Sequence, residues 1–199
     1  MAASSTSRKS RSTASPEDQE ASILDAAAAE FVSVGVRRAN MDEVAVNAGV
    51  SRSTLYRRFP NKDNLLVAVA NLAYERGMRR LEAAVTGLPP REAVVEAFAT
   101  GAQMVTEDPL LNRMVLEDYE IRGITASMSG MFINIVTERV VQTLRRAGAE
   151  MPDADLHRAV EVHVRLVTSY LEVPSDDESL RTPEGARELA SKFLAPMIW

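Results

Sequence analysis

Apolar residues recur every three to four positions through most of this chain, and cap residues, glycines and prolines cut that rhythm into segments of helical length. Ser15-Pro16-Glu17-Asp18 supplies a capping hydroxyl, a proline at the first helical position and acid in the first turn. The helix it starts carries Ile23, Leu24, Ala27, Ala28, Phe31 and Val32 on its apolar side and runs to about Val34, where Gly35 offers a stop. Asn40 caps a short second helix, about Met41 to Ala48, with Glu43 placed to reach back and complete a capping box. Gly49 turns the backbone, Val50 points into the core, and Ser51 caps a third helix of barely two turns that ends near Phe59-Pro60. Asn61 opens a long fourth helix from Lys62 to about Thr86, and Gly87-Leu88-Pro89-Pro90 breaks it at a domain boundary.

Beyond that break the same rhythm predicts five more helices. They cover Arg91 to Thr106, Pro109 to about Ile121, Ile124 to Ala147, Asp153 to Val173 and Pro183 to about Pro196, with an acidic loop from Ser175 to Leu180 before the last. No stretch alternates with period two, so the expected fold is all-α with nine helices. The eighth helix bears two apolar stripes, Leu156-Val160-Val164-Val167-Leu171 and Val162-Leu166-Tyr170-Val173, which requires burial on two sides. The ninth bears one, through Ala186, Leu189, Ala190, Phe193 and Met197. One side of the eighth helix suits its own core, and the other, with the ninth, suits a four-helix interface in a homodimer.

Two short helices joined by a glycine turn form a helix-turn-helix pattern. At 100° per residue, Leu55 and Phe59 share one face of the third helix, while Ser53 and Arg57 fall opposite, flanked by Thr54 and Tyr56. The outer face suits a DNA major groove, where Arg pairs bidentately with guanine and Ser or Thr touches several base edges. Arg52 and Arg58, towards the sides, are better placed for phosphates. Tyr56 can set its ring on thymine methyls or its hydroxyl on a phosphate.

The segment Met41 to Leu66, MDEVAVNAGVSRSTLYRRFPNKDNLL, resembles the tetracycline-repressor (TetR) family, chiefly in its V-A-x-x-A-G-V-S-R-S-T-L-Y-x-x-F-P-N-K core. The resemblance implies a nine-helix TetR-like architecture in which Arg52, Ser53, Thr54, Tyr56 and Arg57 contact bases and backbone and Lys62 binds a phosphate. That last role has separate support, because a helix N-terminus with free amides and a lysine attracts anions. Asn40 stands where the family usually has Thr, which keeps the cap, and Val36 replaces a commonly aromatic residue. The implied organisation is a basic tail over 1–15, a helix-turn-helix domain over 16–62 and a ligand-binding and dimerisation domain over 63–199, with the helix of about 62–86 as connector.

Charge sharpens this picture. The formal net charge is −5, but residues 1–63 hold nine Lys/Arg against eight Asp/Glu, so the deficit belongs to the C-terminal part. The tail sets Arg8, Lys9 and Arg11 among Ser, Thr and Ala with no acid, the composition of a disordered segment that either tracks DNA or stays solvated. The chain has no cysteine, which removes disulfide, thiolate-metal and cysteine-nucleophile chemistry and fits a cytoplasmic setting. No apolar run approaches the roughly 20 residues needed to span a bilayer.

The flexible and aromatic residues Phe98, Met104, Met114, Tyr119, Met128, Met131 and Phe132, with His163, are candidates for lining an apolar effector pocket. His157 and His163, six apart, share no helical face, so neither a metal nor another cofactor is expected. The expected function is sequence-specific binding of double-stranded DNA at a near-palindromic operator, with release by a small, largely apolar effector. The alternatives are a DNA-binding regulator without an effector and a helical enzyme, for which no catalytic grouping of Ser, His and acid is present.

Overall fold

The computed structural model describes residues 15–112, 119–173 and 175–199, and the side chains of all of these except 119–132, 171–172 and 181. Nine α-helices account for most of the described chain, and no strand occurs among the described residues. They are α1 (Pro16–Val34), α2 (Met41–Asn47), α3 (Arg52–Arg58), α4 (Lys62–Val85), α5 (Pro90–Glu107), α6 (Pro109–Asn112), α7 (Tyr119–Arg146), α8 (Asp153–Glu172) and α9 (Pro183–Leu189). The tail up to residue 14 and the pocket candidate Met114 lie outside the described residues, as do the side chains of Tyr119, Met128, Met131, Phe132 and Leu171.

The starts follow the caps. Ser15 and Asp18 form a reciprocal capping box, and Asn40, Ser51 and Asn61 each accept a backbone N–H of the helix they open. At α2 the box is completed differently from the expectation: the Asn40 N–H donates to Glu30 of α1 at 3.1 Å, not to Glu43. The cap of α2 is thereby tied to the helix it packs on. Gly49 takes φ 67°, the left-handed conformation that lets α2 turn into α3 within four residues.

Two apolar cores result. The first joins Ile23, Ala27 and Phe31 of α1, Met41, Val44 and Ala45 of α2, Leu55 and Phe59 around α3, and Leu65, Leu66 and Val69 of α4. The second joins Val85, Ala93, Val94, Leu144, Leu156, Val160, Ala190, Leu194 and Ile198. α4 contributes to both, packing on α1 at its start and along α5 further on. α7 and α8 pack on each other.

Two stretches depart from the sequence expectation. A break was expected before Ile124, but α7 runs from Tyr119 through Gly123, since one glycine costs a helix only about 1 kcal/mol when packing favours continuation. The last helix was expected to continue to about Pro196. Instead α9 stops at Leu189, a π-turn covers Ala190–Leu194, with the Ala195 N–H reaching Ala190 five residues back, and a 3-10 turn covers Ala195–Met197. Pro196 is the physical reason, because its ring would clash with the carbonyl four residues earlier and it has no N–H to donate. The wider turn shifts the stripe: Leu194 and Ala195 are buried, while Phe193 is 60% exposed.

Candidate nucleic-acid interface

α3 is fastened on its inner side and open on its outer side. Leu55 and Phe59 sink into the first core. Ser51 Oγ accepts the Thr54 N–H at 3.1 Å and lies 2.9 Å from Ser53 Oγ and 2.8 Å from Thr54 Oγ1, so three hydroxyls form one cluster at the N-terminus of α3. Ser53 is exposed and Thr54 half-buried. Tyr56 is 44% exposed, and Arg57 beside it is exposed with no hydrogen-bond or ion-pair partner among the described residues.

The other cations around α3 are engaged. Arg52 pairs with Asp42 of α2 at 2.9 Å while its own side chain stays largely exposed. Arg58, expected at the phosphates, turns inward: it donates to Glu20 and to the Pro16 carbonyl, both at 2.7 Å, clamping the end of α3 onto the first turn of α1. Lys62 opens α4 and donates to the Arg37 carbonyl at 2.7 Å and the Ala39 carbonyl at 3.3 Å, so its ammonium holds the turn between α1 and α2. Asn40 caps α2 at 2.9 Å and is exposed on that same turn. Arg38 donates to Val34 at 2.9 Å. α3 and the cap of α2 thus carry Asn40, Arg52, Ser53, Tyr56 and Arg57 exposed, and the start of α4 carries Lys62 half-buried. The anchors Glu20, Pro16 and Glu30 carry no sequence signal, since each acts across a long stretch of chain.

Residues 23–69 match the family described as bacterial regulatory proteins, tetR family, and residues 90–192 match the bacterial tetracyclin repressor, C-terminal domain. The chain belongs to the TetR family. It is an HTH-type transcriptional regulator and not an enzyme. Members bind DNA as homodimers and respond to small-molecule effectors. Among relatives, this TetR chain is 31% identical to the transcriptional activator FasR of Mycolicibacterium smegmatis over 156 residues, covering 76% of this chain and 68% of FasR. It is 32% identical to the transcriptional repressor LfrR of the same species over 133 residues, 66% of each chain. The TetR family repressor AlkX from Dietzia superposes with a TM-score of 0.68 at 21% identity, covering 92% of this chain and 97% of AlkX. A SmeT–triclosan complex superposes at 0.62 and 21% identity, covering 90% and 91%.

Of the pocket candidates of this TetR chain, Phe98, Met104 and His163 have described side chains. Phe98 packs half-buried against the second core. Met104 is buried against α4, so close that a Cβ built on Gly77 would lie 2.8 Å from its methyl. His163 is 9% exposed, with burial lowering its imidazole pKa against the opposing effect of a bond to the Leu194 carbonyl, and its Nε2 has no hydrogen-bond partner. None of the three lines the cleft of about 470 Å³ between α4 and α7, which is bordered by Tyr74, Glu75, Glu82, Ile135, Glu138 and Arg139 among others. There Arg139 of α7 donates to Glu82 at 2.8 Å and to Glu75 at 3.1 Å and lies 5.8 Å from the Tyr74 ring centroid. Its hydrogen bonds hold the Glu82 carboxyl below the ordinary range and raise the guanidinium further. No helix among the described residues is long and apolar enough to cross a membrane.

Proposed function

We propose that this regulator is a repressor that reads a near-palindromic operator through α3 and is released by a small, largely apolar effector. The carrying observation is the division of α3: Leu55 and Phe59 are sealed in the first core while Arg57 and Tyr56 are left outward. In this reading α3 enters the major groove, Arg57 pairs with a guanine, Tyr56 meets a thymine methyl or a phosphate, and Ser53 and Thr54 touch base edges or backbone. Arg52, Asn40 and Lys62 serve the phosphates. Lys62 has a third ammonium proton beyond those given to the Arg37 and Ala39 carbonyls, and it stands at the N-termini of α2 and α4, where partial positive charge favours an anion.

The remaining assignments follow the same division. Residues 16–62 form the reading domain and 63–199 the effector and dimerisation domain, joined by α4. The homodimer forms through α8 and α9, supported by the stripe Val162, Leu166, Tyr170 and Val173, which lies exposed along α8 while Leu156 and Val160 are buried on its other side. An effector is supported by the SmeT–triclosan complex among the structures of the same fold. It enters among α5, α7 and α8, tilts α4 and moves the two reading helices out of register with the groove; coupling of this kind requires that it bind the non-DNA conformation better.

Selecting bound duplexes from a random pool tests the reading. The expected result is a two-fold motif with half-sites about one helical turn apart. Recovery of no motif by the dimeric chain at low ionic strength would overturn it.

A further inference from the structure

Arg57 and Arg58 are neighbours with the same side chain and opposite placements. Arg57 is exposed and makes no hydrogen bond or ion pair among the described residues. Arg58 keeps only 20% of its side chain exposed, and both terminal nitrogens are committed to α1: Nη1 donates to Glu20 and Nη2 to the Pro16 carbonyl, each at 2.7 Å. Its Nε is buried with no acceptor among the described residues. Holding a guanidinium this way costs desolvation that an outward arginine avoids, and it withdraws a cation from the phosphates it could have met.

The gain is mechanical. Leu55 and Phe59, four residues apart, anchor α3 in the first core along one line of its surface. Such a line resists sliding of a seven-residue helix far better than rolling about it. Arg58 follows Leu55 by three residues and so projects about 60° to one side of that line, where a tie to α1 opposes the roll. α1 is firm ground for the tie, since Ile23, Ala27 and Phe31 are sealed in the same core. Arg57 lies on the far side of α3, where a roll moves it most, and a bidentate contact to guanine needs its fork held within about 0.5 Å and 10–20°.

We propose that Arg58 is a specificity-determining positioning residue: without touching DNA, its fork onto Glu20 and Pro16 fixes the roll of α3 and so aims Arg57 at its base. The inference rests on the reading of α3 as the groove-binding helix. It goes beyond that reading in giving part of the operator discrimination to an ion pair on the side of α3 that faces α1.

The test measures the ratio of operator to scrambled-duplex affinity, and the salt dependence of each, for the full chain and for its double variant Arg58→Met, Glu20→Gln. The double change removes one cation and one anion together, so the local net charge is kept. The expected result is a ratio lowered by about tenfold per half-site with scrambled affinity and salt slope unchanged, since a misaimed Arg57 loses its guanine pairing while no phosphate contact is touched. In an Arg57→Ala background the same double change costs distinctly less, because its effect passes through Arg57. An unchanged ratio beside a lowered melting temperature would show that the clamp only stabilises the head. Equal weakening on both duplexes with a shallower salt slope would place Arg58 at a phosphate, and costs that simply add in the Arg57→Ala background would detach it from Arg57. Each of these three results overturns the inference, while a wild type that discriminates its operator keeps the reading of α3. A wild type that binds both duplexes equally would sink both. Should the double variant fail to fold, Arg58→Lys is read by the same ratio: it keeps the charge but not the fork, so the ratio falls if the clamp aims Arg57, and an undiminished ratio overturns the inference.

Discussion

Arg57, Arg58 and Lys62 lie within six positions of one another, yet the structure gives them three different situations. Arg57 is exposed and makes no hydrogen bond or ion pair among the described residues, so its replacement has a clean readout. Arg57→Ala should leave the melting temperature within about 1 °C and cost about 1–3 kcal/mol of discrimination between operator and a half-site variant, measured by competition binding. Lys62→Ala differs twice over. It frees the carbonyls of Arg37 and Ala39, which lowers stability by about 1 kcal/mol, and it weakens every duplex with a shallower salt dependence. An unchanged salt slope would show that Lys62 only holds the turn. His163 supplies a pH dependence. Its folded pKa lies below the ordinary 6.5, so the unfolded chain takes up the proton first. The stability it contributes is complete above pH 6.5 and is lost as the pH falls below that value. Urea midpoints at pH 7.5 and 5.5 should therefore differ by more in the wild type than in His163→Gln. Helical phase made the outward position of Arg57 legible in the sequence. The inward turn of Arg58 was not, because its acceptors, Glu20 and Pro16, are brought to it only by the packing of α3 on α1.

At the scale of elements, what was legible were the helix starts, since a cap is a local bargain between one side chain and the next three amides. Ser15, Asn40, Ser51 and Asn61 all cap the helices they open, although the Asn40 N–H goes to Glu30 and not to the expected Glu43. Ends set by competition between local preference and packing were harder to read, as at Gly123, which α7 passes through, and at Pro196, whose effect reaches back to widen the turn at Ala190–Leu194. α4 is the element on which the proposed coupling depends, and its cross-links were invisible in the sequence. Arg76 joins it to Asp25 of α1 at 3.2 Å, Arg80 to Glu107 of α5 at 2.8 Å, and Glu75 and Glu82, two turns apart, to Arg139 of α7. Only the Arg139 pairing is partly withdrawn from solvent, so it is the one with a measurable contribution. Arg139→Met should lower stability by on the order of 1 kcal/mol, because Glu75 and Glu82 lose the cation they share. It should also shift operator affinity in the absence of any effector, if α7 sets the pitch of α4. Operator binding unchanged beside a lowered unfolding midpoint would mean that Arg139 stabilises the fold without setting that pitch.

For the whole molecule, the arithmetic of recognition requires two copies. α3 has seven residues, about 10 Å of helix, enough for a few base pairs of one half-site. A near-palindromic operator is read only when a two-fold axis carries a second α3 to the next face of the duplex. The surface suited to that axis is the line Val162, Leu166, Tyr170 and Val173 on α8, exposed by 38%, 38%, 38% and 73%, together with Phe193 at 60% beyond α9. A run of five large apolar side chains in water is costly for a lone subunit, and each one covered by a partner contributes about 1–2 kcal/mol. Leu166→Glu should therefore dissociate the dimer, since in a two-fold interface near its axis the substitution sets two carboxylates in apolar surroundings at once. Sedimentation at micromolar concentration should show the monomer mass, and operator affinity should fall by two orders of magnitude or more while the helical circular dichroism is retained. Because Leu166 lies outside both cores, loss of helix in this variant would point to a defect in the fold and not in the interface. A variant that stayed dimeric would move the axis to another face, and one that turned monomeric yet bound its operator undiminished would mean that a single α3 suffices, against the geometry of the half-sites.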